Sequence, residues 1–310
     1  MCTRYARATE WAALAGARWL GRADEEAAEE AAANGMKAAL DQMPVDGRIV
    51  IGSRTGEGLA PGGEIGAGGD RVDLALDPIE GRGVVARGGV GAIAMLAVAP
   101  EGALLQLPDM YMRTISVGPR ARGVIDLDRP VADNVRAVAE SFDRQPLDIT
   151  ALVLDRPRHA HIIEAIRKTG AAVALITDGD VAGVIHTADS STGIDIYLGI
   201  GGAPEGVLAA AALRCIGGQM QGRLVLDTDE KRARAAKMGI KDPRKRYEME
   251  DMVRGDCLFS ATGVTSGSML RGVRFDKEKI ETETVVMRSV TGTVRWIRAE
   301  HRQLEKFHLD

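Results

Sequence analysis

The period of apolar and polar positions changes several times along the chain, and each change marks an element. Thr9 to Leu20 sets Trp11, Leu14 and Ala15 on one face and predicts a first helix. Asp24 then precedes an alanine- and glutamate-rich run, where its carboxylate can cap a second helix reaching about Leu40. Arg48–Ile51 reads as a buried strand ended by Gly52. Between Gly52 and Gly69, eight glycines and Pro61 exclude a regular element and predict a loop near a site. Val72–Leu76 alternates as a strand, and Ile93–Val98 and Ala103–Leu107 read as further strands.

From about Ile149 the pattern alternates between strand and helix: Ala151–Leu154, helix Ala160–Lys168, Ala172–Ile176, a helix from Val181, Ile194–Leu198 and helix Val207–Ile216. This rhythm implies a layered α/β unit with a mostly parallel sheet. Thr284–Arg288 and Thr293–Arg298 flank Val290-Thr291-Gly292 and predict a hairpin or paired strands. The polar stretch Glu140–Pro146 is the expected boundary, giving an N-terminal domain over 1–143 and a C-terminal one over 144–310. The fold class is therefore mixed α and β, as two packed α/β domains.

At 310 residues, 45% apolar and 27% charged, the composition is that of a globular protein and excludes disorder. A net charge of −4 excludes broad attraction to nucleic acid or an anionic membrane. The basic cluster Arg244-Lys245-Arg246, with Lys241 nearby, is followed by acidic residues and reads as a solvated surface. Gly88–Pro108 is the most apolar stretch, but four glycines, Pro100 and Glu101 interrupt it and rule it out as a membrane span. Three cysteines without ligand spacing, and arginines through the first twenty residues in place of a secretory segment, place the protein in the cytoplasm.

Chemistry concentrates at a few strand ends. Asp77-Pro78-Ile79-Glu80-Gly81 follows a strand directly, with Pro78 expected to stop it as a central ladder member and Gly81 permitting a tight turn. Two carboxylates held this way suit Mg²⁺ or Mn²⁺; equally they fit a turn closed by an Asx-type hydrogen bond beside an exposed glutamate. Gly199–Gly206 joins a strand to a helix, and its Glu205 can ligate a metal or merely stabilise the first helical turn. Arg156-Pro157-Arg158-His159 and Thr177-Asp178-Gly179-Asp180 end successive strands, where arginine forks suit phosphate and aspartates suit sugar hydroxyls; both also fit charged loops. His159 and His161, as an H-x-H at a helix start, read as surface rather than metal ligands.

Six motifs occur in order: Asp77-Pro-Ile-Glu-Gly, Pro108-Asp-Met-Tyr-Met, Pro157-Arg-His, Asp178-Gly-Asp-Val, Gly201-Gly-Ala-Pro-Glu-Gly and Phe259-Ser-Ala-Thr-Gly-Val. Together they resemble the class II fructose-1,6-bisphosphatases, from about Thr9 to His301 and most closely over Ile149–Arg298. The resemblance implies a metal-dependent sugar-phosphatase fold removing the 1-phosphate of fructose 1,6-bisphosphate in gluconeogenesis, with sedoheptulose 1,7-bisphosphate as a further candidate substrate. It also implies Mn²⁺ or Mg²⁺ and a homo-oligomer, dimer or tetramer. Carried over residue by residue, Asp77, Glu80 and Glu205 match metal ligands. Gly81, Tyr111, Arg156, Arg158, Asp178, Asp180 and Gly202 match positions that hold the sugar phosphate, with Arg156 standing where the family often has lysine.

Three departures touch the chemistry. Glu29 stands where the family's second helix carries an aspartate ligand. Gly52-Ser53-Arg54-Thr55 replaces a Gly-Glu-Gly-Glu ligand run, leaving Glu57 in Gly56-Glu57-Gly58 as the nearest candidate. Arg82 replaces the threonine that orients the attacking water, and its guanidinium is expected to project into that threonine's space, placing it with Asp77 and Glu80 among the catalytic candidates. A second reading follows from these departures: a catalytically impaired sugar-phosphate-binding homologue with a regulatory or partner role.

Overall fold

The computed structural model describes residues 3–53, 55, 58–303 and 307. Helices α1 (Thr3–Ala17) and α2 (Glu25–Leu40) lead into strands β1 (Val45–Ile51), β2 (Glu64–Ile65) and β3 (Asp70–Glu80), helix α3 (Arg82–Ala86) and strand β4 (Ile93–Pro100). The middle of the chain forms β5 (Tyr111–Val117), α4 (Val131–Ser141), β6 (Thr150–Leu154), α5 (Ala160–Arg167), β7 (Ala172–Ile176) and α6 (Asp180–His186). It continues through β8 (Ile196–Gly202), α7 (Ala203–Ile216), β9 (Gln219–Leu224), α8 (Asp229–Lys237), β10 (Tyr247–Glu248) and α9 (Met249–Met252). Strands β11 (Leu258–Gly263), β12 (Arg274–Phe275), β13 (Ile280–Arg288) and β14 (Thr293–His301) close it.

Two compact units result, one from residues 1–104 with 255–310, the other from 105–254. This cut differs from the expected one. The stretch 140–146 lies within the second unit, as the end of α4 and the approach to β6, while the C-terminal strands return to the first sheet.

The sheet of the first unit runs β12-β13-β11-β4-β3-β1-β2, with β14 also on β13. Helices α1 and α2 cover one face, where Leu14, Met36 and Leu40 meet Leu74, Leu76 and Leu96 in one core cluster. Each such side chain contributes about 1.5–3 kcal/mol by leaving water. Asp24 caps α2 as the sequence predicts, its carboxylate accepting from Ala27 N at 2.9 Å. Thr9 binds α1 to the sheet through a chain of buried hydroxyls, with Ser260 at 3.0 Å and Thr262 at 2.8 Å.

Two strand expectations change. Pro78 does not end β3: the strand continues to Glu80 through a register shift between Asp77 and Glu80, a bulge that accommodates the missing N–H. Ala103–Leu107 is not a strand, because Leu104 N donates instead to the buried carboxylate of Asp73 at 3.1 Å.

The second unit's sheet runs β10-β9-β5-β8-β6-β7. It is mixed rather than mostly parallel: β7 and β8 flank β6 in parallel, while β8, β5, β9 and β10 pair antiparallel. Val135, Val138, Ile162 and Ile166 of α4 and α5 pack with Ile115, Val117 and Val153 of the sheet. Helix α7 is buried along most of its length. Cys215 and Cys257 are both buried, and Cys2 lies outside the described residues. Among the described residues no helix is long and apolar enough to cross a membrane.

Candidate active site

In the first unit the candidate carboxylates gather around the β3 bulge and α2. Asp77 Oδ1 accepts from Ile79 N at 3.1 Å, so the Asx-type bond is present. Glu80, expected as an exposed residue in the plain turn reading, is buried at 7% exposure. Gly81 has φ 88°, a conformation that glycine adopts without strain, and from it the chain turns into α3.

Arg82 opens that helix. Its Nη1 donates to Glu29 Oε2, and its Nε lies 3.7 Å from Glu25 Oε2. Ser53 Oγ donates to the other oxygen of Glu29, Oε1, at 3.1 Å, and shares a bond with Thr55 Oγ1 at 2.9 Å. The bond to Glu29, with Glu29, Glu25 and Asp77 acting through charge, raises the Arg82 pKa against the opposing effect of burial. The guanidinium thus turns back towards α2. Glu57 lies outside the described residues.

In the second unit the sugar-phosphate candidates cluster around β6, β7 and β8. Arg158 stacks over the Tyr111 ring at 4.7 Å and donates from Nε and Nη2 to Ile200 O at 3.0 and 2.7 Å. Among the described residues its Nη1 hydrogens remain for a ligand. Arg156 donates from Nη1 to its neighbour's carbonyl, Asp155 O, at 3.1 Å. Asp178 is exposed, and its Oδ1 accepts from Gly179 N at 3.0 Å.

Asp180 Oδ1 accepts from Tyr197 Oη at 2.8 Å. Burial pushes the Asp180 carboxyl above its ordinary range, and the tyrosine bond opposes that rise. A β-carbon on Gly201 would overlap Asp180 Oδ2, and one on Gly202 would overlap Glu205 Oε2. Both glycines therefore create room for a carboxylate against the backbone.

Glu205 Oε2 is buried and has no hydrogen-bond partner among the described residues. Loss of hydration raises the Glu205 carboxyl, with repulsion from Asp180, Asp109 and Asp178 adding to it against its own backbone N–H. A buried oxygen in this state calls for a proton or a cation, so the chemistry of Glu205 fits a divalent ion. Among the described residues no three His, Cys, Asp or Glu side chains form a group able to hold a metal.

His159 departs from its expected surface role. It is fully buried, with Nδ1 2.8 Å from Leu154 O, and Ile200 N donates to its Nε2 at 2.9 Å. An acceptor at Nε2 fixes the neutral tautomer with the proton on Nδ1. Tyr197 is a positioning group that sequence reasoning missed, and His159 is one that it read as surface. Tyr197 could have been found as the hydroxyl-bearing aromatic on the strand that runs through Gly199–Gly202, while nothing local marks His159 as buried.

The chain matches the model of the family described as bacterial fructose-1,6-bisphosphatase, glpX-encoded, over residues 1–301. It is 41% identical to a D-fructose 1,6-bisphosphatase class 2/sedoheptulose 1,7-bisphosphatase of Synechococcus sp. (strain JA-3-3Ab), over 94% of this chain and 92% of that protein. It is 42% identical to fructose-1,6-bisphosphatase 1 class 2 of Escherichia coli (strain K12), over 97% of this chain and 95% of that one. With its two mixed sheets, its carboxylates at the β3 bulge and its arginine-lined strand ends, this chain belongs to the bacterial class 2 fructose-1,6-bisphosphatase family.

Proposed function

We propose that this protein hydrolyses the 1-phosphate of fructose 1,6-bisphosphate, and that it also accepts sedoheptulose 1,7-bisphosphate. The observation that carries this reading is the family match across residues 1–301. Nothing in the comparisons favours the catalytically impaired alternative.

The family implies a divalent metal cofactor. Mn²⁺ or Mg²⁺ is the assignment that fits a donor set of carboxylate oxygens. Asp77, Glu80, Glu205 and Glu57 are the proposed ligands, and the solitary oxygen of Glu205 supports a cation there. When bound, such an ion clamps phosphoryl oxygens and lowers the pKa of the attacking water.

The remaining roles fall to groups already oriented. Tyr111 covers one face of the Arg158 guanidinium and Ile200 O takes its Nε–Nη2 edge, so its Nη1 meets a phosphate with little reorganisation. Arg156 adds a second positive charge beside it. Asp178 and Asp180 accept from sugar hydroxyls, Asp180 with its Oδ1 fixed by Tyr197. Gly81 and Gly202 complete the proposed substrate-binding positions, Gly202 with the Glu205 carboxylate packed against its backbone. The products are the sugar monophosphate and inorganic phosphate, the water oxygen ending on phosphorus. We also propose a cytoplasmic homo-oligomer, a dimer or a tetramer.

The test is phosphate release from fructose 1,6-bisphosphate with Mn²⁺, run beside calorimetric binding of the same sugar. Turnover is expected. Binding without release would sink the catalytic reading, and neither would sink the substrate assignment.

A further inference from the structure

The cation already present at Glu29 belongs to the protein. Glu29 stands on the second helix at the position where the family resemblance implies a metal ligand, and its side chain is 15% exposed. Both of its oxygens are engaged: Oε2 accepts from Arg82 Nη1, and Oε1 accepts from Ser53 Oγ at 3.1 Å. Arg82 reaches this carboxylate because Gly81, at φ 88°, turns the chain from β3 into α3 and brings residue 82 opposite α2. Glu25, one helical turn before Glu29, faces the same guanidinium at 3.7 Å and Arg87 at 3.9 Å. Asp77 adds its negative charge to the field around Arg82. Among the described residues, the positive charge, its carboxylate partners and the hydroxyl on the far oxygen meet at Glu29.

A divalent ion on Glu29 would have to displace the guanidinium or sit beside it. Displacement separates the guanidinium from two carboxylate partners, and coexistence sets like charges a few ångströms apart. Arginine at residue 82 and a longer carboxylate at residue 29 are also matched changes. Glutamate reaches one methylene farther than the aspartate of the family pattern, which suits a partner anchored on a neighbouring element.

We propose that Arg82 acts as a built-in cation at Glu29, occupying the place of one divalent ion, so that Glu29 is not a metal ligand in this protein. The proposal rests on the phosphatase reading only in the choice of ion. Ion counts are read without substrate, so they stand or fall separately from turnover.

The experiment counts Mn²⁺ bound per chain by equilibrium dialysis of the purified full-length protein, with circular dichroism to verify folding. Arg82→Thr and Arg82→Met are each expected to bind one more Mn²⁺ than the parent, and adding Glu29→Gln to either should remove that ion. Arg82→Lys keeps the charge and should not gain one. In the parent background, Glu29→Gln alone should leave the count unchanged, a result that remains informative if the Arg82 variants fail to fold. An unchanged count in folded Arg82→Thr and Arg82→Met overturns the proposal. So does loss of one Mn²⁺ from the parent on Glu29→Gln.

Discussion

Replacing His159 with leucine tests how the phosphate-binding arginine is held. The ring joins two strands, with Nδ1 donating to Leu154 O on β6 and Nε2 accepting from Ile200 N on β8. Leucine keeps the apolar bulk and removes both bonds, leaving the Ile200 N–H without a partner while Leu154 O keeps its bond from Arg156 N at 2.9 Å. The stranded N–H costs about 1–3 kcal/mol and the lost bond to Leu154 O about 0.5–1.5 kcal/mol, roughly 1.5–4.5 kcal/mol together. For a unit of this size that lowers Tm by about 3–18 °C. Ile200 O is also the double acceptor for Arg158, so movement of β8 should raise KM for the bisphosphate more than it lowers kcat. His159→Gln, able to restore one bond, should recover part of both effects.

The same substitution has a pH signature. Burial first, then the charge of Arg158 and of His161, holds the His159 pKa below the ordinary histidine range, against the bond to Leu154. Between the unfolded and folded values the unfolded chain binds more protons, so stability rises with pH there. The contribution is complete above about pH 6.5 and is lost as pH falls towards the folded value, with a slope of at most about 1.4 kcal/mol per pH unit. His186, also lowered by burial, contributes in the same direction. Thermal denaturation from pH 7.5 to 5 should show a shallower slope in His159→Leu than in the parent. A variant melting within about 2 °C of the parent, or keeping the full slope, would refute the reasoning.

Three further predictions use the carboxylates and Arg158. Glu205→Gln should melt higher than the parent in EDTA at neutral pH, because a raised folded pKa means that the ionised form costs stability as pH climbs past the ordinary carboxyl value. Added Mn²⁺ should then raise the Tm of the parent and leave that of the variant nearly unmoved. Arg158→Ala should raise KM about 10- to 100-fold, the equivalent of one charge-assisted contact of about 1.5–3 kcal/mol, and calorimetry of sugar-phosphate binding would show it directly. Asp77→Ala should abolish phosphate release while keeping the parent's circular dichroism; unchanged turnover would remove Asp77 from the proposed metal site.

Elements with a local signature were legible in the sequence. Asp24 announces α2, the run from Ala151 to Ile216 alternates as read, and Gly292 marks the turn between β13 and β14 at φ 56°. Strands β5 and β9 were not legible, because Arg113, Thr114, Ser116, Gln219, Gln221 and Arg223 mask their apolar alternation. The mixed sheet follows from these two omissions. The return of β11 to β4, pairing Thr262 with Ala94, leaves no mark in either segment. At the site, motif residues were visible as residue types at strand ends. Their partners, such as Tyr197 for Asp180 and Glu29 for Arg82, depend on separations that only the folded backbone defines.

The returning strand also sets a timetable for synthesis. Leu105–Arg254 forms an uninterrupted unit that can complete itself as it emerges from a ribosome. Strand β4 has no such independence, since one of its edges belongs to Leu258–Gly263. At translation rates of about 5–20 residues per second, that edge waits roughly 10–30 s for its partner. Throughout that interval an apolar strand from Ile93 to Val98 offers open backbone donors and acceptors to any passing chain. Chaperone demand during expression should therefore concentrate on the first hundred residues, and a chain truncated before residue 258 should aggregate through β4 even with its middle unit intact.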